Sequence, residues 1–306
     1  MRILITGASG QVGTEAVRRA PSLGVEAVGL DRARLDVTDP EAVHAAIEQH
    51  RPEAVVNAAA YTAVDRAESD PEAASAVNRD GPAHLADACA RLGLPLVHLS
   101  TDYVFDGTKG APYGPDDPVA PVNVYGTSKA AGESEVRSRL GAHAILRTAW
   151  VFGAHGSNFV QTILRLAAGR DRLTIVADQW GHPTWAGDVA RAALVAAERL
   201  ATGRLGAGTY HVAGAPLTTW HGLAEAVVEA ARARGLIEAV AVDPIPTSAY
   251  PTPAQRPARV ELAMEASFDA LGLTPFEWGA ALFPIVEEGT GRSDGEVWRT
   301  GPAPSA

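Results

Sequence analysis

Seven residues into the chain, Gly7-Ala8-Ser9-Gly10-Gln11-Val12-Gly13 follows directly on the apolar run Ile3-Leu4-Ile5. A buried strand that runs into a glycine turn and then a helix is the opening of a βαβ unit. The spacing is G-x-x-G-x-x-G rather than G-x-G-x-x-G, but the physical demands are the same. They are a tight turn, close approach of backbone to a pyrophosphate, and close helix–strand packing. The unpaired N–H groups and partial positive charge of the helix N-terminus suit phosphates. Gly7, Gly10, Gln11, Val12 and Gly13 are therefore expected to hold a dinucleotide.

The same alternation continues. Short apolar runs at Val25–Leu30, Ala54–Asn57, Leu94–Ser100 and Ala144–Arg147 read as strands. Helical sequence falls between them, at Pro40–Gln49 and from about Pro71 to Leu92. Strands buried on both faces and separated by helices predict an α/β fold, a Rossmann-like doubly wound parallel sheet. After Trp150 the rhythm changes to loops rich in Gly, Pro and aromatics. A helix around Asp188–Ala201 and a strand Thr209–Val212 are expected to return to the first sheet. The predicted division is a dinucleotide-binding domain of residues 1–148 plus about 187–213. A smaller C-terminal substrate-binding lobe takes about 149–186 plus 214–288, and 289–306 is expected to form a loose tail.

Asp31 ends the second strand, where a carboxylate accepts hydrogen bonds from the adenosine ribose. Arg32 and Arg34 follow at once, and guanidinium groups pair with a 2′-phosphate. The first feature favours NADH and the second NADPH; both arginines are equally readable as solvated loop charges. Asp36 and Val37 are placed beside the adenine ring. Ala58, Ala59 and Ala60, after Asn57 at the end of the third strand, offer room for a cofactor's backbone to pass closely.

The charge excludes other partners. With 36 acidic and 26 basic residues the formal charge is −10. Neither a nucleic acid nor an anionic membrane surface is an expected partner, because both need a basic patch. No apolar run approaches the roughly 18 residues of a membrane span, and the single cysteine, Cys89, fits a reducing compartment. The expectation is a cytoplasmic protein. The nine histidines show no metal-ligand spacing, so no catalytic metal is expected.

Tyr125-Gly126-Thr127-Ser128-Lys129 carries the most chemistry. On a helix, residues i and i+4 share a face, so the phenol and the ammonium point together. A nearby cation favours phenolate and lowers a tyrosine pKa, which helps it act as acid or base. Ser100 and Thr101 end the fourth strand, where α/β sheets bind ligands; they alternate in direction, so one of them faces the site.

These stretches together resemble the extended short-chain dehydrogenase/reductases, and within them the dTDP-4-dehydrorhamnose reductase family. The glycine turn, Asn57–Glu68 (NAAAYTAVDRAE), Ser100–Phe105 (STDYVF) and Pro121–Gly126 (PVNVYG) carry the resemblance. So do Arg147–Val151, Asp178–Thr184 (DQWGHPT) and Ala249–Pro257 (AYPTPAQRP), so that it spans most of the chain. It implies NAD(P)H-dependent reduction of the C4 ketone of a dTDP-4-dehydro-6-deoxyhexose, dTDP-4-dehydro-L-rhamnose above all. NADPH is the favoured cofactor, with NADH also admitted. Thr101 would orient the C4 carbonyl, Tyr125 would donate the proton, and Lys129 would hold the nicotinamide ribose and keep Tyr125 acidic. Thr62, Val64, Asp102, Tyr103 and Trp150 would lie near the dTDP-sugar, and Trp150 is also readable as core packing. Arg256 is the candidate cation for the pyrophosphate. Some members of this family place an acidic residue at the position of Glu15 in a magnesium-bridged dimer, so Mg²⁺ and a homodimer remain open expectations.

Three other readings share the fold. A 4,6-dehydratase needs a glutamate base after the strand-end Thr-Asp pair, and Tyr103 occupies that place. Another nucleotide-sugar 4-ketoreductase, or a regulatory subunit like the methionine adenosyltransferase beta subunit, stays compatible with the resemblance; intact Thr101, Tyr125 and Lys129 favour an enzyme.

Overall fold

The structure is a computed structural model, and it describes residues 1–289. The expected loose tail at 289–306 falls, but for its first residue, outside them. The chain opens with β1 (Arg2–Thr6), α1 (Gln11–Arg19), β2 (Glu26–Leu30), α2 (Pro40–His50) and β3 (Ala54–Asn57). It continues through the short turns α3 (Val64–Ala67) and α4 (Pro71–Ser75), then α5 (Gly81–Leu92), β4 (Leu96–Thr101), α6 (Val124–Arg139) and β5 (His143–Thr148). Six strands pair in one parallel sheet, in the order Gly208–His211, β5, β4, β3, β1, β2.

That order places the reversal of winding between β1 and β3, the crevice in which such sheets bind ligands. One face of the sheet packs Ile3, Ile5, Val56 and Leu146 against the alanine-rich helix Ala186–Ala201. The other packs Leu4, Val55, Leu96 and Ile145 against α2, α5 and α6. Alanines on the first of these helices let it lie close to the strands. A separate core joins the helices Phe159–Ala167, Trp220–Ala233 and Trp278–Gly289, with Leu223, Val227 and Leu282 at its centre. Among the described residues no helix is long and apolar enough to cross a membrane.

One helix of the sequence reading is interrupted in the structure. The helix expected from Pro71 to Leu92 is broken by a π-helical turn at Ala76–Asp80. The cause is Asn78. Its side chain accepts from the Tyr61 N–H at 2.8 Å and donates to the Tyr61 carbonyl at 3.0 Å. It also donates to Ser128 Oγ at 3.0 Å. A widened turn is the geometry that pushes this amide out of the helix, a common device beside functional sites.

Candidate active site

The glycine turn sits at the crevice, immediately after β1. Gly7 has φ +65°, the left-handed region that favours glycine. A Cβ there would lie 2.6 Å from Ala59 N, and one on Gly13 would lie 2.2 Å from the Gly7 carbonyl. The first and third glycines are therefore demanded by packing, and the N-terminus of α1 is left open toward the groove. That groove, about 230 Å³, is lined by Gly7, Gly10, Arg32, Asp36, Val37 and the run Ala58–Ala60, with Tyr61 and Val77 beside them. Tyr61 Oη is buried and has no hydrogen-bond partner among the described residues. An orphaned hydroxyl, an open helix N-terminus and small side chains together fit a dinucleotide. Neither Tyr61 nor Val77 was singled out by sequence; the signal for Tyr61 lay in its place directly after the three alanines.

Other cofactor candidates are placed differently. Gln11 turns toward the second half of the chain, its Oε1 accepting from Asn158 Nδ2 at 3.0 Å, while the Val12 side chain packs on the core. Asp31 does not line the groove; its carboxylate accepts from the Arg34 N–H at 3.0 Å and shapes the turn. Arg34 folds back onto the Gly29 carbonyl at 2.9 Å and does not line the groove. Arg32 is 85 % exposed, 3.8 Å from Asp36, and lines the groove. The paired-arginine expectation thus reduces to Arg32 alone.

At the end of β4 the two hydroxyls separate as alternation requires. Ser100 points to the α6 side and donates to Glu133 Oε1 at 2.6 Å. Thr101 faces the site: its hydroxyl donates to Asp102 Oδ1 at 3.0 Å, accepts from the Tyr103 N–H at 3.2 Å, and lies beside the Tyr125 phenol. Tyr125 enters on the first turn of α6, which Asn123 caps by accepting from the Gly126 N–H at 2.7 Å. Gly126 lets that turn lie on Tyr103, since a Cβ there would lie 2.2 Å from the Tyr103 carbonyl. The two tyrosine rings then meet edge to face, 5.6 Å apart.

One expectation is corrected here. Tyr125 and Lys129 do share a face of α6, but the Lys129 ammonium donates to the Leu99 carbonyl at 2.7 Å rather than to the phenol. Burial pushes the phenol up to about 12, with Thr101 pulling the other way and Asp102 adding to the rise. Lys129 does not keep Tyr125 acidic in this arrangement. Burial brings Lys129 itself down to about 8, against a pull upward from Glu133. Asp102 is likewise raised by burial, to about 7, opposed by the Thr101 hydroxyl and backbone N–H groups.

Beyond this centre lies a cleft of about 510 Å³ lined by Tyr103, Phe159, Gln179, Trp220, Tyr250 and Arg256, among others. Asp102 and Trp150 join Tyr103, Gln179, Trp220 and Arg256 around a smaller recess at its base. Trp150 has φ +41°, uncommon for a bulky side chain, and stacks on Trp220 at 3.6 Å between ring centroids. It is both packed and cleft-lining, so the two sequence readings of Trp150 hold together. Trp220 and Gln179 were missed as individual residues. Nothing in their local sequence separates Trp220 from any helical aromatic.

Arg256 is at the cleft, but it is not a free cation as expected: it pairs with Asp65, Nη2 to Oδ2 at 2.8 Å, and contacts Tyr103. Thr62 is exposed, and Val64, half-buried, opens the turn α3 that carries Asp65. Glu15 does not fit a magnesium ligand. It is buried, with Arg18 on Oε1 at 2.8 Å and Arg19 on Oε2 at 2.9 Å.

Residues 1–290 match the family model of the RmlD substrate binding domain. The chain belongs to this family. A dTDP-4-dehydrorhamnose reductase of Burkholderia thailandensis is 47 % identical over 295 residues, covering 94 % of this chain and 99 % of that protein. Among solved structures, a dTDP-4-dehydrorhamnose reductase of Clostridium acetobutylicum superposes with a TM-score of 0.86 at 35 % identity, covering 94 % of this chain and 99 % of the other. The Bacillus anthracis reductase, in complex with NADP, gives a TM-score of 0.85 at 31 % identity, with the same coverage. Dehydratase and epimerase structures at 18–20 % identity share the fold alone.

Proposed function

We propose that this protein is an NADPH-dependent reductase that converts dTDP-4-dehydro-L-rhamnose to dTDP-L-rhamnose by reducing its C4 ketone. The observation that carries the reading is Thr101, at the end of β4, beside Tyr125 on the first turn of α6, with the neighbouring Asp102 and Tyr103 lining the recess of the aromatic cleft. It is supported by membership of a family matched along nearly the whole chain. NADPH in the groove supplies the hydride. With substrate bound, Thr101 turns its one proton from Asp102 to the ketone oxygen, and Tyr125 gives that oxygen a proton as the alcohol forms. A phenol held high by burial is fully protonated at neutral pH, the state a proton donor needs. Lys129, fixed by Leu99, stands ready for the nicotinamide ribose. Arg256 takes the pyrophosphate after yielding part of its bond to Asp65, and Trp150 and Trp220 flank the sugar.

In this reading residues 1–148 plus about 187–213 bind the cofactor, and about 149–186 plus 214–288 bind the nucleotide sugar. The enzyme works in the cytoplasm, a placement supported by a lone thiol, Cys89, that is buried and pushed up to about 12. The test is NADPH consumption on adding dTDP-4-dehydro-6-deoxy-L-mannose. A protein that binds NADPH and the sugar nucleotide without turnover would be a regulatory subunit instead.

A further inference from the structure

Each reduction leaves Tyr125 without its proton, and the phenol is enclosed by Thr101, Tyr103 and Asp102. The Thr101 oxygen has one proton and two lone pairs. One lone pair is taken by the Tyr103 N–H. The remaining lone pair and proton face Asp102 on one side, at 3.0 Å, and Tyr125 on the other. The hydroxyl is thus built to accept from one neighbour while donating to the other. Asp102 is 3 % exposed and borders the recess shared with Tyr103, Trp150 and Arg256. The charged and titratable groups around it are Tyr103 beside it, Tyr125 from α6 and Arg256 across the recess. Among the described residues no cation bonds its carboxyl oxygens, whereas Asp65 holds Arg256 outright.

We infer that Asp102 is the proton reserve for Tyr125, returning a proton to the phenolate through the Thr101 hydroxyl after each turnover. The inference rests on the reductase reading above. The bookkeeping closes in three exchanges. As hydride reaches the sugar C4, the Tyr125 O–H breaks and the product O–H forms. The Thr101 O–H then breaks as the Tyr125 O–H is remade, and the Asp102 O–H breaks as the Thr101 O–H is remade. Asp102 is left as carboxylate and takes a proton from solvent when the product leaves, which accounts for the one proton consumed per ketone. A carboxyl that burial raises to about 7 holds that proton over the acid half of the working range.

Asp102→Asn keeps the acceptor for Thr101 but has no proton to give. The first turnover, read by mixing the enzyme–NADPH complex with keto sugar, should fall clearly less than steady-state kcat, because Tyr125 starts protonated. Steady-state kcat should fall about tenfold or more and lose its decline above about pH 7. A role confined to holding Thr101 in place would slow both phases alike, and that result overturns the proposal; so does an unchanged kcat. Infrared difference spectra of the cofactor-free protein give an independent reading. Wild type should show a carboxylic-acid carbonyl band that fades as pH rises through about 7 and is absent from Asp102→Asn. No such band overturns the reserve even if the variant misfolds. A wild type that leaves the keto sugar untouched overturns the reductase reading, and the relay with it; an active wild type matched by its variant overturns the relay alone.

Discussion

Arg256 and Asp65 stand 191 residues apart and meet in a two-pronged pair, Nη2 to Oδ2 at 2.8 Å, that fastens the Ala249–Pro257 loop to the α3 turn. The Arg256 hydrogen bond holds the Asp65 carboxyl below its usual range, and burial opposes it. A pyrophosphate entering the cleft meets a guanidinium that is already oriented but already engaged.

Arg256→Ala should raise the Kd for dTDP roughly 10–150-fold, because a charged hydrogen bond is worth about 1.5–3 kcal/mol. Asp65→Asn should weaken dTDP binding less, since the cation survives. Calorimetric titration checks both, with NADPH as the control ligand expected to bind unchanged. If neither variant alters dTDP affinity, the pair is only a strut for the loop.

Tyr125→Phe removes the proton donor and leaves the ring packing against Tyr103 intact. General acid catalysis contributes typically about 10²–10⁴-fold, so kcat should fall by that factor while the Kd for NADPH holds. A Phe variant that keeps more than about half of wild-type kcat would exclude Tyr125 as the acid.

The parts of this site that were legible in sequence are those set by local rules. The glycine turn announces a strand-to-helix corner, and β3 falls on Ala54–Asn57 as its apolar run predicts. Strict alternation separates Ser100 from Thr101. What sequence withheld depends on partners brought together by the fold. Tyr125 and Lys129 do lie one turn apart, yet the acceptor that claims the ammonium is a carbonyl of β4. Asp65 is an ordinary charge in a turn until Arg256 arrives. The π-helical turn at Ala76–Asp80 was half legible, since Pro82 interrupts the helical ladder, but the bonds from Asn78 to the Tyr61 backbone and Ser128 that hold it depend on the fold. Trp150 and Trp220 stack from elements 70 residues apart.

Cofactor preference should rest on one arginine. Arg32→Ala is expected to weaken NADPH roughly 10–150-fold and leave NADH nearly unchanged, because only the phosphate partner is lost. Arg34→Ala should affect both cofactors little, since its side chain folds onto the Gly29 carbonyl and does not line the groove. Fluorescence titration with each nucleotide discriminates the outcomes. Equal losses for NADPH and NADH in the Arg32 variant would mean that it shapes the groove rather than reading the 2′-phosphate.

Glu133 and Arg147 should set the acid limit of the fold. Both are at most 1 % exposed, and they pair through Nε–Oε1 at 2.8 Å and Nη2–Oε2 at 2.7 Å, with Ser100 and Arg137 on the same carboxylate. Burial pushes the Glu133 carboxyl up, but Arg147, Ser100 and Arg137 together overrule it and leave it below the usual carboxylate range. A carboxyl depressed in the folded state binds its proton more readily once unfolded. Its contribution to stability is therefore present above the unfolded pKa, near 4.5, and is lost as pH falls through the lower folded value. Glu133→Gln keeps the shape but strands the buried guanidinium, which typically costs about 3–5 kcal/mol. Thermal unfolding at neutral pH should accordingly show Tm lower by roughly 5–10 °C. The gap between variant and wild type should narrow as pH drops below about 4.5, because wild type then loses the charge that the variant already lacks. A gap that stays constant into acid would show that the loss came from packing rather than from the ion pair.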